Sequence, residues 1–105
     1  MSERIACTGR LWLWAGTGGS GNWYFLTVTQ AAGDALTVIA VTRKLEGMAR
    51  GFGSLKVAAT IGGSHWRTSV FPSREHGWML PVKAAVRKAE GLGEGDLVAV
   101  ALEVW

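Results

Sequence analysis

The fold is decided by the stretch Leu80-Pro-Val-Lys-Ala-Ala-Val-Arg-Lys-Ala-Glu-Gly-Leu-Gly-Glu-Gly-Asp-Leu-Val-Ala-Val-Ala-Leu102. Its order predicts a strand, a proline break, a short helix, a glycine-rich turn and a final strand. Pro81 cannot donate to a strand ladder, so we expect it at the edge or the end of its strand. Gly91 can terminate the helix. Apolar spacing predicts two buried sets: Val82, Ala85, Val86 and Ala89 on the helix, and Val98, Val100, Leu102 and Val104 on the last strand.

The rest of the chain is typical of short strands joined by tight turns. Alternation and β-branched or aromatic residues predict strands over residues 4–14, 23–29, 55–61, 65–71 and 78–82. Gly62-Gly63 suits a two-residue hairpin turn, because glycine tolerates positive φ. Residues 30–43 are ambiguous between a helix and a strand, and we favour a short helix. The helical spacing there is carried by Val38, Val41, Leu45 and Met48.

A faint internal repeat indicates how these elements are arranged. Leu26-Thr-Val-Thr-Gln-Ala-Ala32 aligns with Leu80-Pro-Val-Lys-Ala-Ala-Val86, and each copy follows an aromatic strand. Two such halves predict a barrel with a pseudo-two-fold axis, whose closure protects strand edges. We therefore expect a mainly β fold, a small closed double-split barrel of about six strands with one or two short helices. The chain of 105 residues predicts a single domain, 1–105.

The composition restricts the class of protein. Apolar residues make up 49% and charged residues 18%, which indicates a globular chain. No apolar run approaches the roughly 18 residues of a membrane span. The start Met1-Ser-Glu-Arg4 lacks the layout of a signal peptide. Cys7 is the single cysteine and fits a reducing compartment. We expect a cytoplasmic monomer or weak homodimer with no membrane partner.

The positive charge is concentrated in the middle of the chain. The net charge is +3, but the span from Arg43 to Lys88 holds nine basic and two acidic residues. Such a span predicts either a solvated surface or a positive face for an anionic partner. One hypothesis is therefore a nucleic-acid-binding regulatory domain. Its contacts would come from Arg50, Lys56, Lys83, Arg87 and Lys88.

Two nucleotide-related patterns are incomplete. Residues 16–21 satisfy G-x-G-x-x-G, but a strand follows where the dinucleotide fingerprint needs a helix. Arg50-Gly-Phe-Gly53 matches the first half of an RNA-recognition motif. Ser54 and Val57 stand where its stacking aromatics belong.

Catalytic and metal-binding patterns are also missing from the sequence. His65 and His76 are the only histidines, and neither has metal-ligand spacing. Neither has a nearby serine in a nucleophile-elbow motif. We therefore expect no catalytic residue, no metal and no cofactor.

Six tryptophans fall on predicted strands: Trp12, Trp14, Trp23, Trp66, Trp78 and Trp105. Some of them belong to the core, or two or three line a concave face that stacks on a planar ligand, a sugar or a base. Basic neighbours favour the later part of the chain for such a face. We predict a small binding module for a small molecule or a protein, with a site built from Trp66, Arg67, Trp78 and Lys83.

Several blocks carry a family resemblance: Trp12-Leu-Trp14, Asn22-Trp-Tyr-Phe25, Arg50-Gly-Phe-Gly-Ser-Leu-Lys-Val57, Ala59-Thr-Ile-Gly-Gly63, Trp66-Arg-Thr-Ser-Val-Phe-Pro72 and the final quarter. Together they resemble the bacterial domain-of-unknown-function 1905 family. The resemblance implies a small double-split β-barrel with pseudo-symmetric halves. It implies no catalytic residue, because the family's function is unsettled.

The final quarter is more distantly similar to the swapped-hairpin barrels of AbrB-type transcription factors and antitoxins. In those proteins a strand ends in Leu/Ile-Pro, a basic helix follows, and Gly-Asp opens the next strand. The likeness implies a dimeric barrel that grips DNA. Here one chain would supply both halves, and residues 29–34 contain no lysine or arginine. A symmetric basic grip is therefore not expected.

Overall fold

A computed structural model describes residues 3–15, 22–28, 30–47 and 53–104. The elements are β1 Glu3–Ala15, β2 Asn22–Val28, α1 Gln30–Leu45, β3 Leu55–Ile61, β4 Ser64–Ser73, β5 Gly77–Pro81, α2 Ala84–Glu90 and β6 Leu97–Val104. The six strands form a closed barrel in the order β1-β2-β5-β4-β3-β6, and all neighbours are antiparallel. The predicted mainly β fold class is confirmed. Within these ranges, no helix has the length and apolar character to cross a membrane.

Two long strands close the barrel by changing partners along their length. The first part of β1 pairs with β6 up to Arg10, and the remainder pairs with β2 from Leu11 onward. Likewise, β4 pairs with β3 up to Val70 and with β5 from Phe71 onward. Both β1 and β4 therefore take part in two sheets, which is the double split expected from the sequence.

The strand register follows the faint internal repeat. Leu26 lies directly opposite Leu80 where β2 pairs with β5, and these two residues open the two copies of the repeat. On either side, Phe25 pairs with Pro81 and Thr27 with Met79. The hairpin of β1 and β2 and the hairpin of β4 and β5 therefore meet as pseudo-equivalent units, each followed by a helix.

The core consists of the inward residues of every strand. Burial alternates along β3 and β6, as the period of two requires. The predicted inward set on β6, Val98, Val100, Leu102 and Val104, is buried throughout. Pro81 is the last residue of β5, so the closed barrel gives it a strand end instead of an edge.

Two elements extend further than predicted. The helix at residues 30–43 runs on to Leu45 and is not short, with Gly33 and Leu36 buried against the barrel. Val38, Val41 and Leu45 are exposed, so the apolar spacing in this half of α1 does not mark a buried face. The strand predicted over 65–71 continues through Pro72 to Ser73, because β5 takes over the pairing there.

Only part of the set predicted to be buried around the short helix α2 is buried. Val82 and Val86 are buried, but Ala85 and Ala89 are exposed, since seven residues offer only a narrow contact. Gly91 ends the helix with φ of 64°, as predicted. The predicted glycine connector at 16–21 and most of the motif at 50–53 lie outside the described residues.

Close packing between α1 and β2 depends on Gly33. A Cβ added at this position would lie 2.7 Å from the backbone oxygen of Val28 at the end of β2. That separation is shorter than a carbon and an oxygen tolerate, and a backbone atom cannot rotate away. The helix can therefore approach the barrel only because residue 33 has no side chain.

We expect Gly33→Ala to lower the free energy of unfolding by about 1–3 kcal/mol, because overpacking outweighs alanine's better helix propensity. Urea denaturation followed by tryptophan fluorescence measures this change. Gly63→Ala is the matched control, since nothing lies within 4 Å of its added Cβ. An unchanged midpoint for Gly33→Ala would contradict the close approach.

Candidate functional site

The outer surface of β1, β2, β5 and β4 carries a continuous group of apolar side chains. Trp14 pairs with Trp23, and Trp12 pairs with Phe25, across β1 and β2. The next strands add Pro81 opposite Phe25, and then Met79 opposite Phe71. We call this surface the aromatic face; it comprises Trp12, Trp14, Trp23, Phe25, Phe71, Met79 and Pro81.

Contacts within the aromatic face hold its rings in place. The Trp12 and Phe25 ring centroids are 5.3 Å apart, and those of Trp23 and Phe25 are 6.4 Å apart with planes 15° from parallel. The Trp12 indole N–H donates to Thr27 Oγ1 at 2.8 Å. Trp14 and Trp23 nevertheless remain 45% and 52% exposed. The rings are thus positioned by the protein while presenting open surface.

The aromatic face lines a cavity of about 580 Å³, with Ser73, Glu75 and His76 at one side. The His76 ring lies 4.6 Å from Trp12, centroid to centroid, and its backbone N–H donates to Ser73 Oγ. Its Nε2 is 3.7 Å from Glu75 Oε2. The turn after β4 therefore supplies the polar groups of an otherwise apolar cavity.

A second cavity, of about 410 Å³, adjoins the first at Trp23 and Pro81, which line both. Its cationic side chains are Arg67, Lys83 and Arg87, and its apolar wall includes Trp66 and Tyr24. We call it the basic pocket, because none of the described residues that line it is acidic.

Arg87 is held against the wall of the basic pocket. Its guanidinium carbon lies 3.8 Å from the centroid of the Tyr24 ring, and its Nε donates to Val82 O at 3.2 Å. Arg87 therefore folds back over the half-buried ring of Tyr24 instead of extending into solvent. This arrangement fits a cation–π contact.

The predicted ligand-binding residues do not all meet. Trp66, Arg67 and Lys83 line the basic pocket, although Trp66 is only 8% exposed. Trp78 is 6% exposed, lines a different cavity beside α1, and donates its indole N–H to Thr37 Oγ1 at 3.0 Å. A binding role for these four residues stays a prediction.

The predicted nucleic-acid-binding residues are also divided. Lys83, Arg87 and Lys88 lie on or beside α2, where Lys88 is exposed. Lys56 is exposed on β3, where it pairs with Ser69. Arg50 lies outside the described residues. Nucleic-acid binding by this set stays a prediction.

The sequence of residues 8–102 matches the family described as "Domain of unknown function (DUF1905)". This chain belongs to the DUF1905 family. The resemblance seen in the sequence is thereby confirmed over nearly the whole domain. A comparison with curated proteins found no match.

The aromatic face of this DUF1905 domain was not predicted as a unit. The sequence indicated that two or three tryptophans line a concave surface, but the basic neighbours favoured Trp66 and Trp78. A signal for the aromatic face was present in the sequence: Trp12 and Trp14 alternate with Leu11 and Leu13, and on the next strand Trp23 and Phe25 alternate with Tyr24 and Leu26. Aromatics two apart on adjacent strands of a hairpin share one face.

The other reactive side chains of the DUF1905 domain are separate from both cavities. His65 Nδ1 lies 3.0 Å from Oγ1 of Thr60, its partner on the neighbouring strand β3. Cys7 is half-buried, and this burial raises the pKa of its thiol above the ordinary value. Across residues 3–15, 22–28, 30–47 and 53–104, no three metal-ligating side chains form a group that could hold an ion.

We expect Thr37→Val to lower the free energy of unfolding by about 1 kcal/mol, because Trp78 loses its hydrogen-bond acceptor. Thermal or urea unfolding measures the change. Thr42→Val on the same helix is the control, since Thr42 is exposed. Equal effects of the two substitutions would show that the indole hydrogen bond does not hold Trp78 in place.

Proposed function

We propose that this DUF1905 domain is a non-catalytic small-molecule-binding module whose ligand has a planar apolar part that stacks in the aromatic cavity. The observation that carries the proposal is the convergence of aromatic rings from β1, β2 and β4 on one concave surface of about 580 Å³. The single cysteine, Cys7, supports the further proposal of a reducing, cytoplasmic setting.

Exposure of these rings favours a ligand over a purely structural role. Single exposed apolar residues are ordinary, but a contiguous group of them marks a binding surface. Trp14 and Trp23 are each about half exposed and lie side by side. Aromatic side chains offer large contact areas at a small cost in side-chain entropy, which suits recognition.

The size and shape of the cavity favour a small molecule over a protein partner. Ligand pockets commonly measure about 300–1,000 Å³ and combine apolar walls with a few polar groups. The aromatic cavity falls in that range, with Ser73, Glu75 and His76 as the polar groups. A planar ligand can stack on the indoles while a polar substituent reaches the turn after β4.

The arrangement of charge favours a small molecule over a nucleic acid at this surface. Glu75 lies beside the aromatic cavity and would repel a phosphate backbone there. Lys56 lies on β3, in the other sheet of the barrel. A single-stranded nucleic acid generally needs a basic track that follows its stacked bases.

We expect a neutral fluorescent probe, N-phenyl-2-naphthylamine, to bind this domain saturably. Replacing both exposed indoles, Trp14→Ala with Trp23→Ala, should weaken that binding about tenfold, because each aromatic contact contributes about 0.5–1.5 kcal/mol. Probe fluorescence measures the affinity, and circular dichroism checks the fold.

Leu45→Ala is the matched control for this experiment, since Leu45 is an exposed apolar residue on α1. It should leave the affinity unchanged. Non-saturable binding to the wild-type protein would overturn the proposal, as would equal losses in the double variant and in Leu45→Ala.

A further inference from the structure

The aromatic cavity and the basic pocket form one continuous surface. Trp23 and Pro81 line both cavities, so a ligand on one side of Trp23 is adjacent to the other. On β4, Arg67 and Phe71 lie on the same outer face, because residues an even number apart point the same way. Both are exposed, Phe71 in the aromatic cavity and Arg67 in the basic pocket.

The basic pocket has the charge of an anion site. Arg67 lies on β4, whereas Lys83 directly precedes α2 and Arg87 lies within it. The three side chains line one opening. The rest of the described lining is aromatic, aliphatic or neutral. No carboxylate is among the described residues that line this pocket, so Lys83 and Arg87 can attract a negatively charged group there.

Two of these cationic side chains, Arg87 and Lys83, are available to bind an anionic group. Arg87 is fixed by its contact with Tyr24 and by the bond from its Nε to Val82 O, so its terminal amino groups are oriented without further loss of freedom. Lys83 is exposed and, among the described side chains, makes no hydrogen bond or ion pair.

From this continuity we infer that the two cavities together bind an amphipathic organic anion. Its planar apolar part lies on the aromatic face, and its anionic head group, a carboxylate, sulfonate or phosphate, lies in the basic pocket. The inference rests on the proposed function and adds the chemical class of the ligand.

The strand geometry sets the length of this ligand. Arg67 and Phe71 are four positions apart on β4, which corresponds to about 13 Å along a strand. The arginine and lysine side chains are long and can reach toward the aromatic face. A head group held on the order of 10 Å from the centre of the planar part therefore satisfies both cavities.

The experiment uses two probes that share one aromatic skeleton. 6-Anilinonaphthalene-2-sulfonate carries its sulfonate at the end of the naphthalene remote from its phenyl ring, so its anionic and apolar parts have the separation that the strand sets. N-phenyl-2-naphthylamine has the same skeleton without the sulfonate. We expect Lys83→Gln to weaken binding of the sulfonate about fivefold, as the loss of one partly exposed charge pair predicts. The neutral probe should be unaffected, and Lys83→Arg should retain sulfonate affinity because it keeps the charge.

Lys88→Gln is the matched control, because Lys88 is exposed on α2 but does not line the basic pocket. It removes the same charge and should leave both probes unchanged. Equal sulfonate affinity in wild type and Lys83→Gln overturns the inference. So does an equal loss in Lys88→Gln, which would mean that net charge alone attracts the anion.

The neutral probe separates this inference from the proposed function. If the neutral probe binds saturably but Lys83→Gln does not change the affinity for the sulfonate, only the inference that the ligand is an anion is overturned. Failure of the neutral probe to bind overturns the proposed function itself. Displacement of the sulfonate by a single-stranded oligonucleotide, with equal losses in Lys83→Gln and Lys88→Gln, overturns the inference in favour of a nucleic acid.

Discussion

Closure of the barrel at the point where β1 exchanges β6 for β2 is the constraint on which this structure depends. Leu11 is the first residue paired with β2, and its backbone also bonds to the turn before β6. Its N–H donates to Asp96 O at 2.9 Å, and its carbonyl accepts from Gly95 N at 2.7 Å. Arg10 Nη1 adds a bond to Gly95 O. The turn therefore satisfies the backbone where one sheet ends and the other begins.

Closure also requires backbones to approach closely. A Cβ on Gly9 would lie 2.7 Å from the carbonyl oxygen of Thr27, so β1 can pass β2 here only without a side chain. The same strand then presents Trp12 and Trp14 outward, and Thr27 accepts the Trp12 indole N–H. The close approach of β1 to β2 at Gly9 and Thr27 thus also positions Trp12, one of the rings of the aromatic face. The aromatic face and the closure of the barrel therefore both depend on β1.

The two pseudo-symmetric halves of the barrel contribute different kinds of side chain to the two cavities. In the first half, the hairpin of β1 and β2 contributes Trp12, Trp14 and Trp23 to the outer surface. In the second half, the hairpin of β4 and β5 contributes Phe71 and Met79, and the segment that follows brings Lys83 and Arg87. One half thus supplies most of the aromatic contact and the other all of the basic charge, so the surface suits an asymmetric ligand better than a two-fold one.

Local pattern alone determined much of this protein. Period-two alternation predicted β3, its hairpin and the inward face of β6, because the side chains of a strand alternate between two sides wherever the strand lies. Gly91 was predicted as a helix end for an equally local reason, its tolerance of positive φ. Family membership also followed from the sequence. The conclusions about the strands and the helix end depend on contacts between neighbours in the chain.

Tertiary structure alone decided which tryptophans are core and which line the aromatic face. Trp66 and Trp78 have the same strand context as Trp14 and Trp23, but their sides of β4 and β5 face the barrel interior. Which side faces inward depends on barrel closure and on register with distant strands, and no local pattern encodes either. The meeting of Arg67 with the start of α2 has the same origin, because it joins residues that only the closed barrel brings together.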